Sequence, residues 1–111
     1  MTLAFPKPVK VRSRAILDFA RGQDCTIRLP GVCCHNPETV VACHLPGHAK
    51  GIGSKESDLH IAFGCDRCHA VCDGRARSNL SPAIILDAML RGLSETQALL
   101  VQAGLVTITE D

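Results

Sequence analysis

The sequence predicts a single α+β domain with additional carboxy-terminal helices, and three observations predict it. First, Cys65-Asp66-Arg67-Cys68-His69 is a Cys-x-x-Cys knuckle followed at once by histidine, and Cys25 and Cys33 form a second cysteine group upstream. Four thiolates drawn from two short loops can close a tetrahedral zinc shell, and His69 then faces away from it, free for chemistry. Second, a chain of 111 residues with three Phe and neither Trp nor Tyr can bury only a modest core. Structural zinc can staple such a core, since binding energies of roughly 10–16 kcal/mol appear directly as folding energy in small zinc modules. Third, the periodicity runs strand, loop, strand, helix, and then turns wholly helical.

The elements follow in order. Residues 15–20, with Arg21, make a short amphipathic helix that stops at Gly22, and the chain is delivered to Cys25. Residues 26–29 alternate like a strand, and Pro30-Gly31 supplies a turn that returns Cys33 to Cys25. Residues 40–45 read as a strand delivering His44, followed by a Gly-rich loop from Pro46-Gly47 to Gly53. A second strand over residues 59–63 leads into Gly64-Cys65, and a helix carries His69, Val71, Cys72 and Asp73 to Gly74. Ser81-Pro82 is an N-cap with proline at the first helical position, opening an apolar helix to Gly92. Ser94-Glu95-Thr96-Gln97 is a capping box for a further helix that stops at Gly104, and residues 106–108 suit an edge strand. These carboxy-terminal helices cover the sheet or form a homodimer face. The organisation expected is a basic arm over 1–14, a metal-bearing core over 22–77 and a helical cover over 81–111.

Composition excludes several classes. The seven cysteines are better explained by metal than by disulfides, because the count is odd and no secretory signal precedes them; Pro6 and Pro8 lie where an apolar signal core needs helix. The expected setting is intracellular and reducing. No apolar run approaches the roughly 20 residues of a membrane span, so no membrane partner is expected. Net charge is +1, but Lys7, Lys10, Arg12 and Arg14 precede the first acid, Asp18. Such an arm can lie along a phosphate backbone, or be a solvated tail.

Taken together, Cys25, Cys33, His44, Cys65, Cys68 and His69 resemble the HNH family of endonucleases, also called ββα-metal or His-Me finger, in the variety braced by four cysteines. The likeness covers about residues 22–77. It implies a zinc-braced ββα-metal finger and a metal-dependent DNA endonuclease of the bacterial cytoplasm. The phrase Arg28-Leu-Pro-Gly-Val-Cys33, with Asn36-Pro37-Glu38-Thr39 and the strand to His44, is also similar to small prophage-encoded nucleases, which implies a phage or prophage origin.

The family pattern puts the general base on His44, whose neutral imidazole can take a proton from water at physiological pH. It puts a single divalent cation, Mg2+ or another, on His69. The asparagine that tethers the loop in the family is represented by Asp58. Many members carry an aspartate ligand just before the catalytic histidine, where this chain has Cys43. Asp73, four residues after His69 and on the same helical face, is the substitute candidate, with Asp58 the other. Lys50, Lys55, Arg67, Arg75 and Arg77 flank the site and suit phosphate contacts, or form a solvated face.

The plain alternatives are these. The cysteines can be buried small hydrophobes, and Cys34 can replace Cys33, though Cys33 ends the Pro-Gly turn. His44 can be a hydrogen-bonded strand-end residue, His69 a capping residue and Asp73 an ordinary helix end. Cys43 and Cys72 read as core thiols, and His35, His48 and His60 as loop or surface residues. Two further functions compete: a zinc-stapled nucleic-acid-binding or assembly module without catalysis, and an electron carrier, because Cys65-x-x-Cys68-His69 also matches c-type haem attachment.

Overall fold

Ser13 caps the first helix: its backbone is extended, and its hydroxyl oxygen accepts the Ile16 N–H at 3.2 Å. Helix α1 (Arg14–Phe19) follows and ends in a turn closed by Gly22, whose φ of +86° lies in the left-handed region. The computed structural model describes residues 10–46 and 56–110. Within them lie three helices, one short 3-10 turn and a two-stranded antiparallel sheet. Asn36 caps the 3-10 turn (Pro37–Thr39) through its side-chain oxygen, and Thr39 then feeds β1 (Val41–His44).

Strand β1 pairs with β2 (Ile61–Gly64) in the register Val41 with Gly64 and His44 with Ile61, so His44 ends its strand. Cys65 caps α2 (Asp66–Cys72) with its sulfur, in the place a serine oxygen often takes. Ser81 and Pro82 open α3 (Pro82–Gln102), as the capping signal implies.

All four residues of β2 are buried, so both faces of this strand are covered. Ala62 faces α3 at Gly92, while the Phe63 ring meets Phe19 at a centroid distance of 6.0 Å. Around them Ile27, Leu29, Val40, Ile61 and Leu100 close the core. Burying this many aliphatic side chains, each contributing about 1.5–3 kcal/mol, supplies most of the drive toward the collapsed state.

Four expectations about elements need correction. Residues 26–29 form no strand. Thr26 and Ile27 meet β2 at one residue, Phe63: both N–H groups donate to its carbonyl, at 2.7 and 3.3 Å, and the Thr26 hydroxyl accepts the Phe63 N–H at 3.0 Å. Arg28 then adopts φ +45° and turns the chain away. The two carboxy-terminal helices are one: Gly92 sits inside α3, where a Cβ would stand only 3.0–3.2 Å from Ala62 and Thr26. The capping-box residues are consequently mid-helix, with Glu95 paired to Arg28 at 2.7 Å and Thr96 buried. Residues 106–108 pair with no strand among the described residues; the Leu105 and Val106 N–H groups close instead on the Leu100 carbonyl past the helix end. Lastly, β2 starts at Ile61, two residues later than its hydrophobic pattern, because the preceding residues turn: the His60 N–H donates to the Ser57 carbonyl at 2.9 Å and the Leu59 N–H to the Ser57 hydroxyl at 3.2 Å. Val11 N–H donates to the Ser57 hydroxyl, and Asp58 N–H to the Val11 carbonyl. No helix among the described residues is long and apolar enough to cross a membrane.

Candidate metal centre and active site

The side-chain sulfurs of Cys25, Cys33, Cys65 and Cys68 lie within 4.8 Å of one another, and three of these residues are buried. Sulfurs each about 2.3 Å from a central zinc stand about 3.8 Å apart in a tetrahedron, and the Cys33 to Cys65 separation is 3.8 Å. Backbone N–H groups support the sulfurs. Arg28 N–H donates to Cys25, and Cys68 N–H to Cys65, so both loops bend in the same i to i+3 way; Leu29 N–H donates to Cys68 and Cys65 N–H to Cys25. Such bonds stabilise thiolates. A hydrogen bond from Cys68 chiefly holds the Cys25 thiol down to about 4, against the opposing effect of burial, whereas burial pushes Cys33 up to about 11. The donor set and its spacing could hold a metal such as zinc.

Cys34 points elsewhere, its sulfur 3.5 Å from Asp66 Oδ1 and 3.7 Å from the Thr39 hydroxyl. With Cys65 and Asp66 it makes a second, three-donor cluster that shares Cys65 with the first. His35, with φ +54°, brings Nδ1 to 3.6 Å from the Cys33 sulfur, a neighbour its spacing did not signal. Cys43 is a buried core thiol, packed against Gly64 and pushed up to about 12 by burial; burial likewise raises Cys72 to about 11.

The two histidines come together by the topology. His44 closes β1, His69 lies one turn into α2, and both line one open depression with Leu17 of α1, Val41 and Ala42. His44 Nε2 is 2.8 Å from Asp58 Oδ1, and the other carboxylate oxygen of Asp58 accepts the Ser13 N–H at 2.8 Å. Arg12 adds a guanidinium 3.7 Å away. Asp58 is 3% exposed. Burial alone would push its carboxyl up, but the hydrogen bonds from His44 and Ser13 and the charges of His44 and Arg12 outweigh that and hold it below the usual carboxylate range.

On the opposite side of the pair, His69 Nε2 stands 3.5 Å from Asp73 Oδ2. Two donors that share one small cation at about 2.1 Å each can be no more than about 4.2 Å apart, so this separation fits joint coordination. Arg75 occupies the same carboxylate, its Nε 2.7 Å from Oδ2, and its NH2 group lies 3.4 Å from His69 Nδ1. The Arg75 bond is the main reason the Asp73 carboxyl sits below its ordinary range. Among the described residues, sets of three or more metal donors converge only at the cysteines. A cation at His69 and Asp73 would therefore have two protein donors and complete its shell from water and substrate. Arg67 is exposed on α2, while Lys50 and Lys55 lie outside the described residues, as does His48.

The Asp58 to His44 bond spans 14 residues and was legible only as a tether in the family pattern. A carboxylate just before an apolar strand signals no particular partner.

Residues 14–105 match the family model described as "Putative nuclease YbcO". The chain belongs to the YbcO family. YbcO relatives include "Putative nuclease YbcO" of Escherichia coli (strain K12) and "Putative nuclease ybcO" of Enterobacteria phage 82. Each is 36% identical over 89 residues, covering 78% of this chain and 91% of its own length. The fold is also similar to a solved structure, "a putative bacteriophage protein from Escherichia coli str. K-12 substr. MG1655", with a TM-score of 0.65 at 31% identity, covering 79% of this chain and 98% of that one. The span matched to YbcO takes in the four clustered cysteines, His44, Asp58, His69 and Asp73.

Proposed function

We propose that the chain is a phage-derived, metal-dependent DNA endonuclease of the HNH type, with zinc at Cys25, Cys33, Cys65 and Cys68 as its structural staple. The observation that carries the reading is that His44, backed by the buried Asp58 carboxylate, opens with His69 onto one depression at the end of a strand-strand-helix unit. The nuclease names of the YbcO relatives point the same way.

The hydrogen bond from His44 Nε2–H to Asp58 fixes the ring tautomer and leaves Nδ1 as the free lone pair. His44 Nδ1 takes a proton from water as the water oxygen attacks phosphorus, and Asp58 stabilises the imidazolium that forms. The phosphorus to 3′-oxygen bond breaks in line, leaving a 5′-phosphate and, after protonation, a 3′-hydroxyl. A divalent cation held by His69 and Asp73 would supply positive charge to the non-bridging oxygens and to the departing 3′-oxygen. Arg75 keeps Asp73 ionised and oriented toward His69.

Plasmid cleavage with Mg2+, Mn2+ or Ni2+ added separately, alongside His44→Ala and a zinc assay on both proteins, tests the proposal. Removing a general base is expected to slow cleavage by about 10²–10⁴-fold while zinc and folding are retained. An unmutated protein that binds zinc yet cuts neither duplex, branched nor single-stranded DNA with any of these ions would replace this reading by a zinc-stapled binding module.

A further inference from the structure

Helix α2 presents more than His69. On another side, Arg67, Arg75 and Arg77 line a cavity of about 500 Å³ together with Asp66 and with Gly31 and Val32 of the cysteine loop. The three guanidiniums are not equivalent. Arg75 is satisfied by Asp73, whereas Arg67 and Arg77 have no ion-pair or hydrogen-bond partner among the described residues. Asp66 is the one acid on the lining, and its Oδ1 already faces the Cys34 thiol at 3.5 Å. Counting Asp73 against Arg75 and Asp66 against one other arginine leaves the cavity one positive charge in excess, with two guanidinium forks unused. Like charges drawn into one concavity repel, and an anion relieves that repulsion; a phosphate accepts several N–H donors at once, which is the geometry guanidinium forks recognise.

We propose that this cavity binds a backbone phosphate of the nucleic acid, distinct from the phosphate at His44 and His69, and so sets how the strand crosses α2. The inference rests on the nuclease reading for its substrate class. Arg75 links the two places, since it lines the cavity and also lies 3.4 Å from His69. One strand can thereby touch Arg67 and Arg77 while a neighbouring phosphate reaches the histidines. The competing role for these arginines is charge balance for the four thiolates, because Gly31 and Val32 lead directly into Cys33.

The experiment is fluorescence anisotropy of a labelled DNA duplex across a salt series, without added divalent cation so that nothing is cut. It compares the unmutated protein, Arg67→Ala/Arg77→Ala and Arg67→Lys/Arg77→Lys, with zinc content measured on each. Loss of one phosphate contact is expected to reduce the slope of log affinity against log salt by about 0.9, and the lysine pair should restore it. An unchanged slope in the alanine pair overturns the proposal. If zinc is lost as well while the slope stays the same, the arginines belong to the metal centre. Titration with inorganic phosphate supplies the other arm: binding that needs both arginines, beside an unaltered DNA slope, also overturns it by assigning the cavity to free phosphate. Parallel plasmid assays keep the two readings apart. Arginine-dependent binding without cleavage leaves the phosphate site standing and removes the nuclease; cleavage with an unaltered slope does the reverse.

Discussion

Asp58 is a carboxylate that stays charged while nearly fully buried, and His44, Ser13 and Arg12 explain it. His44 and the Ser13 N–H each occupy one of its oxygens. Its folded pKa lies below the ordinary value of about 3.9, so the unfolded chain binds more protons through that interval. The stability it contributes is therefore complete above the unfolded value and is lost as pH falls through the folded one. Asp58→Asn is expected to cost about 1–3 kcal/mol at neutral pH, the range for a disrupted buried hydrogen bond, and to flatten the acid limb of the stability profile. Urea unfolding of both proteins between neutral pH and about pH 3 reads this; superimposable acid limbs would show that Asp58 carries no such charge. Cleavage by the same variant is expected to fall about 10- to 100-fold, part of the general-base contribution, because a neutral amide no longer stabilises the imidazolium.

At the scale of elements, α3 shows why a local rule can fail. Gly92 followed by a capping box reads as a stop and a restart, since glycine lowers helix propensity by about 1 kcal/mol and Ser-x-x-Gln favours a new start. The helix continues because Gly92 is the point of closest approach to the core. A Cβ there would stand 3.0 Å from Ala62 Cβ and 3.2 Å from the Thr26 carbonyl oxygen. Thr96, one turn on, adds its hydroxyl to the Thr26 and Phe63 pairing at 3.0 and 3.1 Å. The outer edge of β2 at Phe63 is thus bonded by Thr26 and Ile27 together with one hydroxyl from α3. Gly92→Ala should raise intrinsic helix propensity and still destabilise the protein, by about 1–3 kcal/mol, because Ala62 and the doubly bonded Thr26 must give way to the new methyl group. A urea midpoint equal to or above that of the unmutated protein would contradict this packing.

For the molecule as a whole, the cysteine centre ties the segment after α1 to the start of α2, across 32 residues between Cys33 and Cys65. Zinc at that junction would constrain the fold more than any single apolar contact, since its binding energy of roughly 10–16 kcal/mol rivals the whole stability of a typical domain. Chelation is expected to abolish cooperative thermal unfolding, and Cys33→Ser to lose most of the bound zinc. Cys34→Ser should keep zinc at one ion per chain, because Cys34 faces Asp66 and Thr39. Zinc analysis and circular dichroism on the three samples decide it; loss of metal in Cys34→Ser with retention in Cys33→Ser would exchange the two ligands.

The sequence by itself determined the elements whose signals are local: the cap at Ser81-Pro82, the left-handed turn at Gly22, the strand ending at His44, and the i to i+4 approach of His69 and Asp73. Each depends on backbone geometry or helical pitch within a few residues. The knuckle spacing also marked Cys65 and Cys68, because a loop of two intervening residues brings its sulfurs together wherever it lies, and the Pro30-Gly31 turn marked Cys33 as the return to Cys25. Tertiary structure alone decided the rest. It placed Asp58 against His44, ran α3 through Gly92, turned Cys34 away from Cys33, and gathered Arg67, Arg75 and Arg77 around one cavity. These depend on which segments share the small interior. That choice follows from the summed burial of Ile27, Phe63 and Leu100 and from the need to pair every buried N–H, conditions no local window contains.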